Sequence, residues 1–271
     1  DIVDFQGTLA HHFTIASLDY KNDHQKIHAK NIKLTWQIKL FRQDLSIKSL
    51  TLSNLKWQQD KQPTYQIENI KLSGELTRTE NHHLITSWQK IRIADDVIKP
   101  GQLIFNGNTG QLKQLQIDVA SAHLNIQQKT NSAQQYHWQL NAANVADLIE
   151  DATGHMQASG ELKTNKNDFH VSGKFFLKAL HLAHISCEKA KGHFNVSNNF
   201  EVPTTATILL TKLHLPHQKI DSIKLTTIGN LHHLNYHLTS LFNGNQLRAH
   251  ATLNKKTNEW LLKIKSFSLN L

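Results

Sequence analysis

The chain has one cysteine, one methionine, four prolines and eleven glycines in 271 residues. One cysteine excludes an internal disulfide, and Cys187, at the end of Ile185–Cys187, reads as a small half-buried strand residue. No run approaches the ~20 consecutive apolar residues of a membrane-spanning helix, and no signal peptide is present. Acidic residues are the scarcer charge, 21 Asp plus Glu against 30 Lys plus Arg, for a net charge of +9. That balance suits nucleic acid or an anionic membrane surface. The lysines, however, stand singly at polar strand positions (Lys33, Lys39, Lys48, Lys56, Lys71). Nucleic-acid binders cluster their charge and interleave aromatics. Lysines spaced singly solubilise an outer face and guard strand edges, so no nucleic-acid partner is expected.

Catalytic signatures are missing too: there is no GxSxG, P-loop, GxGxxG after a strand, or HExxH. Asp95-Asp96 reads as a loop, Glu150-Asp151 as the end of a short helix, and Cys187 has no base beside it. The nineteen histidines form pairs such as His11-His12, His82-His83 and His232-His233, and spaced sets such as His24/His28, His181/His184 and His214/His217. None adds a third ligand at metal-site spacing. Adjacent residues of a strand point to opposite faces, so an HH pair cannot chelate as a unit. The sequence predicts no metal, no cofactor and no enzymatic activity.

What is abundant is alternation. In IKLTWQIKL, residues 32–40, every even position is apolar and every odd one polar, the period of a strand with one wet face. Such segments recur along nearly the whole chain, with turn signals every 8–12 residues or so. The turns are read at Asn106-Gly107, Thr109-Gly110, Asn165–Asp168, Asn198-Asn199, Asn243–Asn245 and Lys255–Asn258, with Pro63 and Pro100 as further breaks. In LSIKSLTLSNLKW, residues 45–57, the apolar phase slips twice, as at a β-bulge. One helix is expected near residues 144–151, with Asn144 as its N-cap, Val145, Leu148 and Ile149 on one side, and Gly154 beyond.

The pattern predicts an all-β chain of sixteen to twenty or so mostly antiparallel strands, roughly 75–95 Å long if stacked in one sheet. An apolar content of 39% is thin for a sandwich and suits an elongated sheet curled into a gutter with its apolar face inward. Residues 1–140 are expected to form one groove segment and 141–271, after the short helix, a second that continues the first. The start at Asp1 and the finish within the alternating SFSLNL predict a piece cut from a longer protein. Periodicity leaves the apolar face open between an ordinary core, with Trp36, Trp57, Trp88, Trp138 and Trp260 inside it, and a groove for acyl chains. Each buried methylene is worth ~0.8 kcal/mol in such a groove.

Two segments resemble a known family. The first, residues 7–57, carries Gly7 and Leu9, Leu-x-Tyr at Leu18/Tyr20, and Ile-x-Ala-x-x-Ile-x-Leu-x-Trp from Ile27 to Trp36. Leu-Phe-Arg at Leu40–Arg42 and Leu-x-Ile-x-x-Leu-x-Leu from Leu45 to Leu52 follow. It looks like the periplasmic start of TamB-like proteins of the AsmA-like group. The second, residues 136–175, resembles their repeating unit: a strand, a short Leu-x-x-Leu helix, then Gly154, Gly160 and Leu162 as Gly-x-x-x-x-x-Gly-x-Leu. The resemblance covers about ninety residues, and the content of His, Asn and Lys departs from the family pattern.

The resemblance implies a fragment of a periplasmic bridge of a Gram-negative bacterium, held to the inner membrane by an anchor outside this piece. Its hydrophobic groove, or β-taco, carries phospholipid to the outer membrane. Other parts of the protein pair with an outer-membrane barrel of the Omp85 type in outer-membrane biogenesis, as a translocation and assembly module. The inward candidates are Ile32, Leu34, Trp36, Ile38, Leu40, Leu115, Ile117, Val119, Ile208, Leu210, Ile223, Leu225, Leu234, Tyr236, Leu238, Leu262 and Ile264. The alternative is a closed, lipid-free β scaffold or chaperone module supporting barrel assembly. A surface adhesin or β-solenoid is disfavoured because no fixed short repeat exists.

Overall fold

The computed structural model describes residues 1–8, 11–39, 44–60, 63–76, 82–94, 96–108, 111–130, 132, 134–165, 168–199, 202–230, 232–256 and 259–270, with backbone only at 38, 39, 44 and 256. They form two compact units, Asp1–Gln127 and Gln128–Leu271. The sequence placed its segment boundary at 140/141, ahead of the expected helix. In both units the chain is almost wholly strand, neighbouring strands are antiparallel, and no pairing among the described residues closes a barrel.

In the first unit, β1 (Ile2–Val3) and β2 (Gln6–Thr8) both pair with β3 (His12–Lys21). β4 (Gln25–Lys39), β5 (Asp44–Gln59) and β6 (Tyr65–Leu76) follow in order. β7 (His82–Trp88) and β8 (Lys90–Ile93) both lie along β6, separated by Gln89, whose backbone N–H still donates to the Glu68 carbonyl at 3.0 Å. β9 (Asp96–Ile98) and β10 (Gly101–Asn108) return beside them, and β11 (Gln111–Val119) and β12 (Ala122–Gln128) complete the order. Asn106-Gly107, expected as a turn, lies inside β10. Gly107 is buried there, and a Cβ on it would meet the Gln111 carbonyl at 2.5 Å and the Phe105 ring at 2.8 Å. The glycine answers a close backbone approach. The other turn dipeptide, Thr109-Gly110, lies outside the described residues.

The second unit is a meander. β13 (Gln135–Ala142), β14 (Ala152–Thr164), β15 (Phe169–Leu182), β16 (Ile185–Ser197), β17 (Thr204–Leu215), β18 (Gln218–Asn230), β19 (His233–Phe242), β20 (Asn245–Lys256) and β21 (Glu259–Asn270) each pair with the next. The helix expected over 144–151 is a single 3-10 turn, Val145–Asp147. Asn144 does cap it, its side chain accepting from the Ala146 N–H at 3.1 Å. Only Val145 is fully buried, while Leu148 and Ile149 are exposed. One apolar anchor cannot hold a longer helix in so short a segment.

At the β19–β20 turn, Asn243 and Gly244 take φ of 48° and 78°, the doubly left-handed conformation of a tight hairpin. Nothing lies within 4 Å of a Cβ built on Gly244. Gly244→Ala is therefore expected to cost only the left-handed penalty, ~1–2 kcal/mol, read as a lowered urea midpoint.

A line of skipped residues crosses each sheet. In the first unit, Leu52 pairs with Ile70 and Asn54 with Glu68, so that Ser53 and Asn69 are passed over; Asn69 has φ of 52°, and Asn31 in β4 has 50°. Asn31 donates to the Ser53 hydroxyl at 3.0 Å, and Asn69 donates to Gln89. In the second unit, Ala179, Glu188, Lys212 and Asp221 are passed over on β15 to β18, with φ of 51° at both Ala179 and Lys212. Each skip reverses the facing of the residues beyond it, which brings side chains three apart in sequence onto one face. Ile15/Leu18, Ala29/Ile32 and Leu52/Leu55 meet in one buried cluster in this way. Leu177/Leu180, Cys187/Ala190, Leu210/Leu213 and Ile220/Ile223 meet in the other.

Candidate functional site

Directly paired residues of a sheet point to the same side. Following the pairs in the first unit gives an unbroken row, Phe13–Leu34–Leu50–Leu72–Thr86–Leu103–Ile117–Leu124, with one polar member. A second row runs Trp36–Ile47–Gly74–Leu84–Phe105–Leu115–Ile126. Val119 pairs with Ala122 and Gly101, and Gly101 with Trp88, on the same face. Ile32 faces Ile15 beside the first row, and Phe13 meets Trp36 edge-on with ring centres 5.9 Å apart. The structure thus places Ile32, Leu34, Trp36, Leu115, Ile117 and Val119 on one apolar face. The side chain of Ile38, and Leu40 altogether, lie outside the described residues.

The second unit repeats the arrangement. One row reads Leu140–Ala158–Phe175–Gly192–Ile208–Leu225–Leu238–Ala249–Phe267 across all nine strands. Beside it run Met156–Leu177–Ala190–Leu210–Ile223–Ser240–Leu247–Leu269 and Ala206–Thr227–Tyr236–Ala251–Ile264. Leu234 pairs with Leu253, and Leu253 with Leu262. The nine candidates of this unit therefore share a face as well. That face is best covered around the buried Cys187, Ala190 and Leu213 and most open on β21, where Ile264 is 67% and Phe267 63% exposed.

The face has texture as well as oil. Trp138 and Phe194 stack, ring centres 6.0 Å apart, across the intervening Gly160 and Gly173. A Cβ on Gly173 would lie 2.4 Å from the Trp138 ring, and one on Gly192 2.7 Å from Phe175. Glycines here are the floor on which aromatics lie. In the first unit, Ile27, Leu55, Trp57, Tyr65 and Ile67 line a hollow of about 220 Å³, with Trp57 and Tyr65 stacked at 5.1 Å. None of these five was among the sequence candidates. The skip at Asn31 hides them, because alternation counted from Leu34 does not carry through to Ile27.

The opposite face is polar, and several of its ionisable groups are paired at the surface. Asp19 with His28 at 2.5 Å, Asp118 with His123 at 2.9 Å and Asp60 with His24 at 3.1 Å account for three of the histidines. Among the described residues no three His, Cys, Asp or Glu gather at metal-binding range. Lys129 donates to Glu161 and holds its carboxyl below the usual range. Lys212, 2.6 Å from Glu188 on the line of skipped residues, does the same for Glu188 and is itself raised by it. A lowered carboxyl stabilises above its unfolded value and loses that contribution as pH falls through its folded one. Glu188→Gln is thus expected to lower the melting temperature slightly at neutral pH. The difference from the unaltered chain should vanish in acid, once the Glu188 carboxyl of that chain is protonated. Both partners are exposed, so the effect is small.

A hollow of about 960 Å³ in the second unit opens mainly on the polar face, although Leu140, Ala158, Phe175 and Gly192 of the apolar row also border it. No described helix is long and apolar enough to cross a membrane. Comparison with family models, with curated proteins and with solved structures finds no match.

Proposed function

We propose that the chain is part of a TamB-like periplasmic bridge whose apolar sheet face carries phospholipid acyl chains between the inner and outer membranes. The observation that carries this reading is the pair of apolar rows in each unit, interrupted by a polar residue at Thr86 and at Ser240, lying at right angles to the strands and partly open to solvent. A row in that direction offers an acyl chain a continuous track from strand to strand. Ten methylenes against it supply about 8 kcal/mol without any specific bond. The polar reverse face, with its single lysines and Asp–His pairs, suits exposure to water. Transport is passive in this reading: chains slide along the wall while head groups stay hydrated. The N-terminal anchor and the barrel partner of the Omp85 type belong to parts of the protein outside this piece.

A second reading, a lipid-free scaffold for barrel assembly, draws on the Trp138–Phe194 stack, where the chain covers the wall with its own rings. Mass spectrometry of an organic extract of the purified chain separates the two. Phospholipid at near-stoichiometric yield supports the wall; an extract free of lipid after expression in a Gram-negative host supports the scaffold.

A further inference from the structure

The hollow of about 960 Å³ that opens mainly on the polar face gathers basic, amide and aromatic side chains. Lys174, Lys191, Lys224 and His193 stand around it, with Phe176 and Leu209 between them, and no aspartate or glutamate contributes to its lining. The register fixes the pattern. Phe176 faces Lys191, Lys191 faces Leu209 and Leu209 faces Lys224, while Lys174 faces His193 in the next row. Lys191 and Lys224 are two strands apart, so their stems rise about 10 Å from each other. Neither the three lysines nor His193 has an ion-pair or hydrogen-bond partner among the described side chains. Elsewhere in this unit the cations Lys129, Lys189 and Lys212 do have carboxylate partners. The other end of the hollow is neutral, lined by Gln139, Asn141, Gln157 and Ser159.

We propose that this hollow binds an acidic oligosaccharide. Amides and a hydroxyl donate and accept at once, as sugar hydroxyls require. The Phe176 ring, 39% exposed on an otherwise polar face, offers a platform for the C–H side of a sugar ring. Cations without partners, at strand-to-strand spacing, match carboxylates repeated along an extended chain. An acyl chain fits less well, because the two apolar residues on the polar-face register, Phe176 and Leu209, are each paired directly with a lysine. A single-stranded nucleic acid would want successive aromatics on which to stack its bases, and of the two phenylalanines bordering the hollow Phe175 belongs to the apolar row. The lysines, the amides and Phe176 lie on the face opposite the lipid wall, so their replacement tests this assignment separately from the wall.

Calorimetric titration of the whole chain at 50 mM salt tests it, with tetragalacturonate as the acidic probe and maltotetraose as its neutral counterpart. The expected result is binding of tetragalacturonate that weakens at least tenfold at 300 mM salt, against no measurable binding of maltotetraose. K191E/K224E should lose at least tenfold with an unchanged melting curve. K191M/K224M, which keeps the stems, should lose nearly as much, and F176A should lose several-fold while leaving the salt slope intact. No binding of tetragalacturonate, equal binding of maltotetraose, or affinity unchanged in both lysine double variants overturns the proposal. So does displacement of the sugar by phosphatidylglycerol vesicles or by a single-stranded oligonucleotide that binds more tightly.

Discussion

Replacing Gly160 by valine is expected to unfold much of the second unit. Gly160 sits between Trp138 and Gly173 in the register, and a Cβ built on it would lie 1.8 Å from the Ser172 carbonyl oxygen. That neighbour is backbone of a paired strand and cannot swing aside as a side chain would. Strands 14 and 15 must separate locally, and the Trp138–Phe194 stack across them loses its floor. Overpacking of this kind costs ~3 kcal/mol, and the branched side chain adds bulk where even one carbon does not fit. The urea midpoint of Gly160→Val should fall well below that of Gly244→Ala, whose site is open. Equal midpoints for the two variants would mean that the aromatic–glycine floor is not a structural element.

The second large effect concerns the wall itself. Leu225→Glu together with Leu238→Glu sets two carboxylates directly opposite each other midway along the longest apolar row. Like charges at cross-strand distance repel, and each removes an apolar contact from any chain lying there. Lipid recovered with the protein, or transferred by it, should drop at least tenfold. Thr226→Glu with Thr239→Glu adds the same charge on the opposite face and should leave lipid recovery near its original level. Both pairs require the same control, an unchanged far-ultraviolet circular dichroism spectrum.

Much of this architecture was legible because alternation is a direct image of a half-wet strand. Ile32, Leu34 and Trp36 fall on one face because β4 runs regularly between the Asn31 irregularity and the Thr35/Trp36 shift, which keeps the ring inward. The two phase slips in residues 45–57 correspond to the register shift between Ile47 and Leu50 and to the skip at Ser53. Two other readings failed for physical reasons. Asn106-Gly107 has the composition of a turn, yet the glycine is needed for the approach of Gln111 and Phe105, which only the folded pairing creates. NVADLIED has a good cap and an apolar side, but tertiary contacts bury only Val145.

The line of skipped residues was the least visible feature. Its trace is the i,i+3 spacing of pairs such as Cys187/Ala190, Leu210/Leu213 and Ile220/Ile223, which resembles helical spacing inside strands. Only the pairing of four strands at once, β15 to β18, shows that these pairs lie side by side. The basic hollow was hidden for a related reason. Lys174, Lys191 and Lys224 are far apart in sequence, each looking like an isolated solubilising charge, until cross-strand register sets them around Phe176. Bulges bend strands and increase twist, so the skips are also the natural places for each sheet to curve.

The most direct test of the lipid wall uses neighbouring residues of β11. Ile117 faces Leu103 and Leu124 on the apolar side, whereas Asp118 faces Gln102 and His123 on the polar side. A photo-activated crosslinking residue is placed at one position or the other in the protein within living cells, and adducts are read by mass spectrometry. The account predicts phospholipid adducts from position 117 and none above background from position 118. Equal adduct yields at the two positions, or lipid at neither, would contradict it.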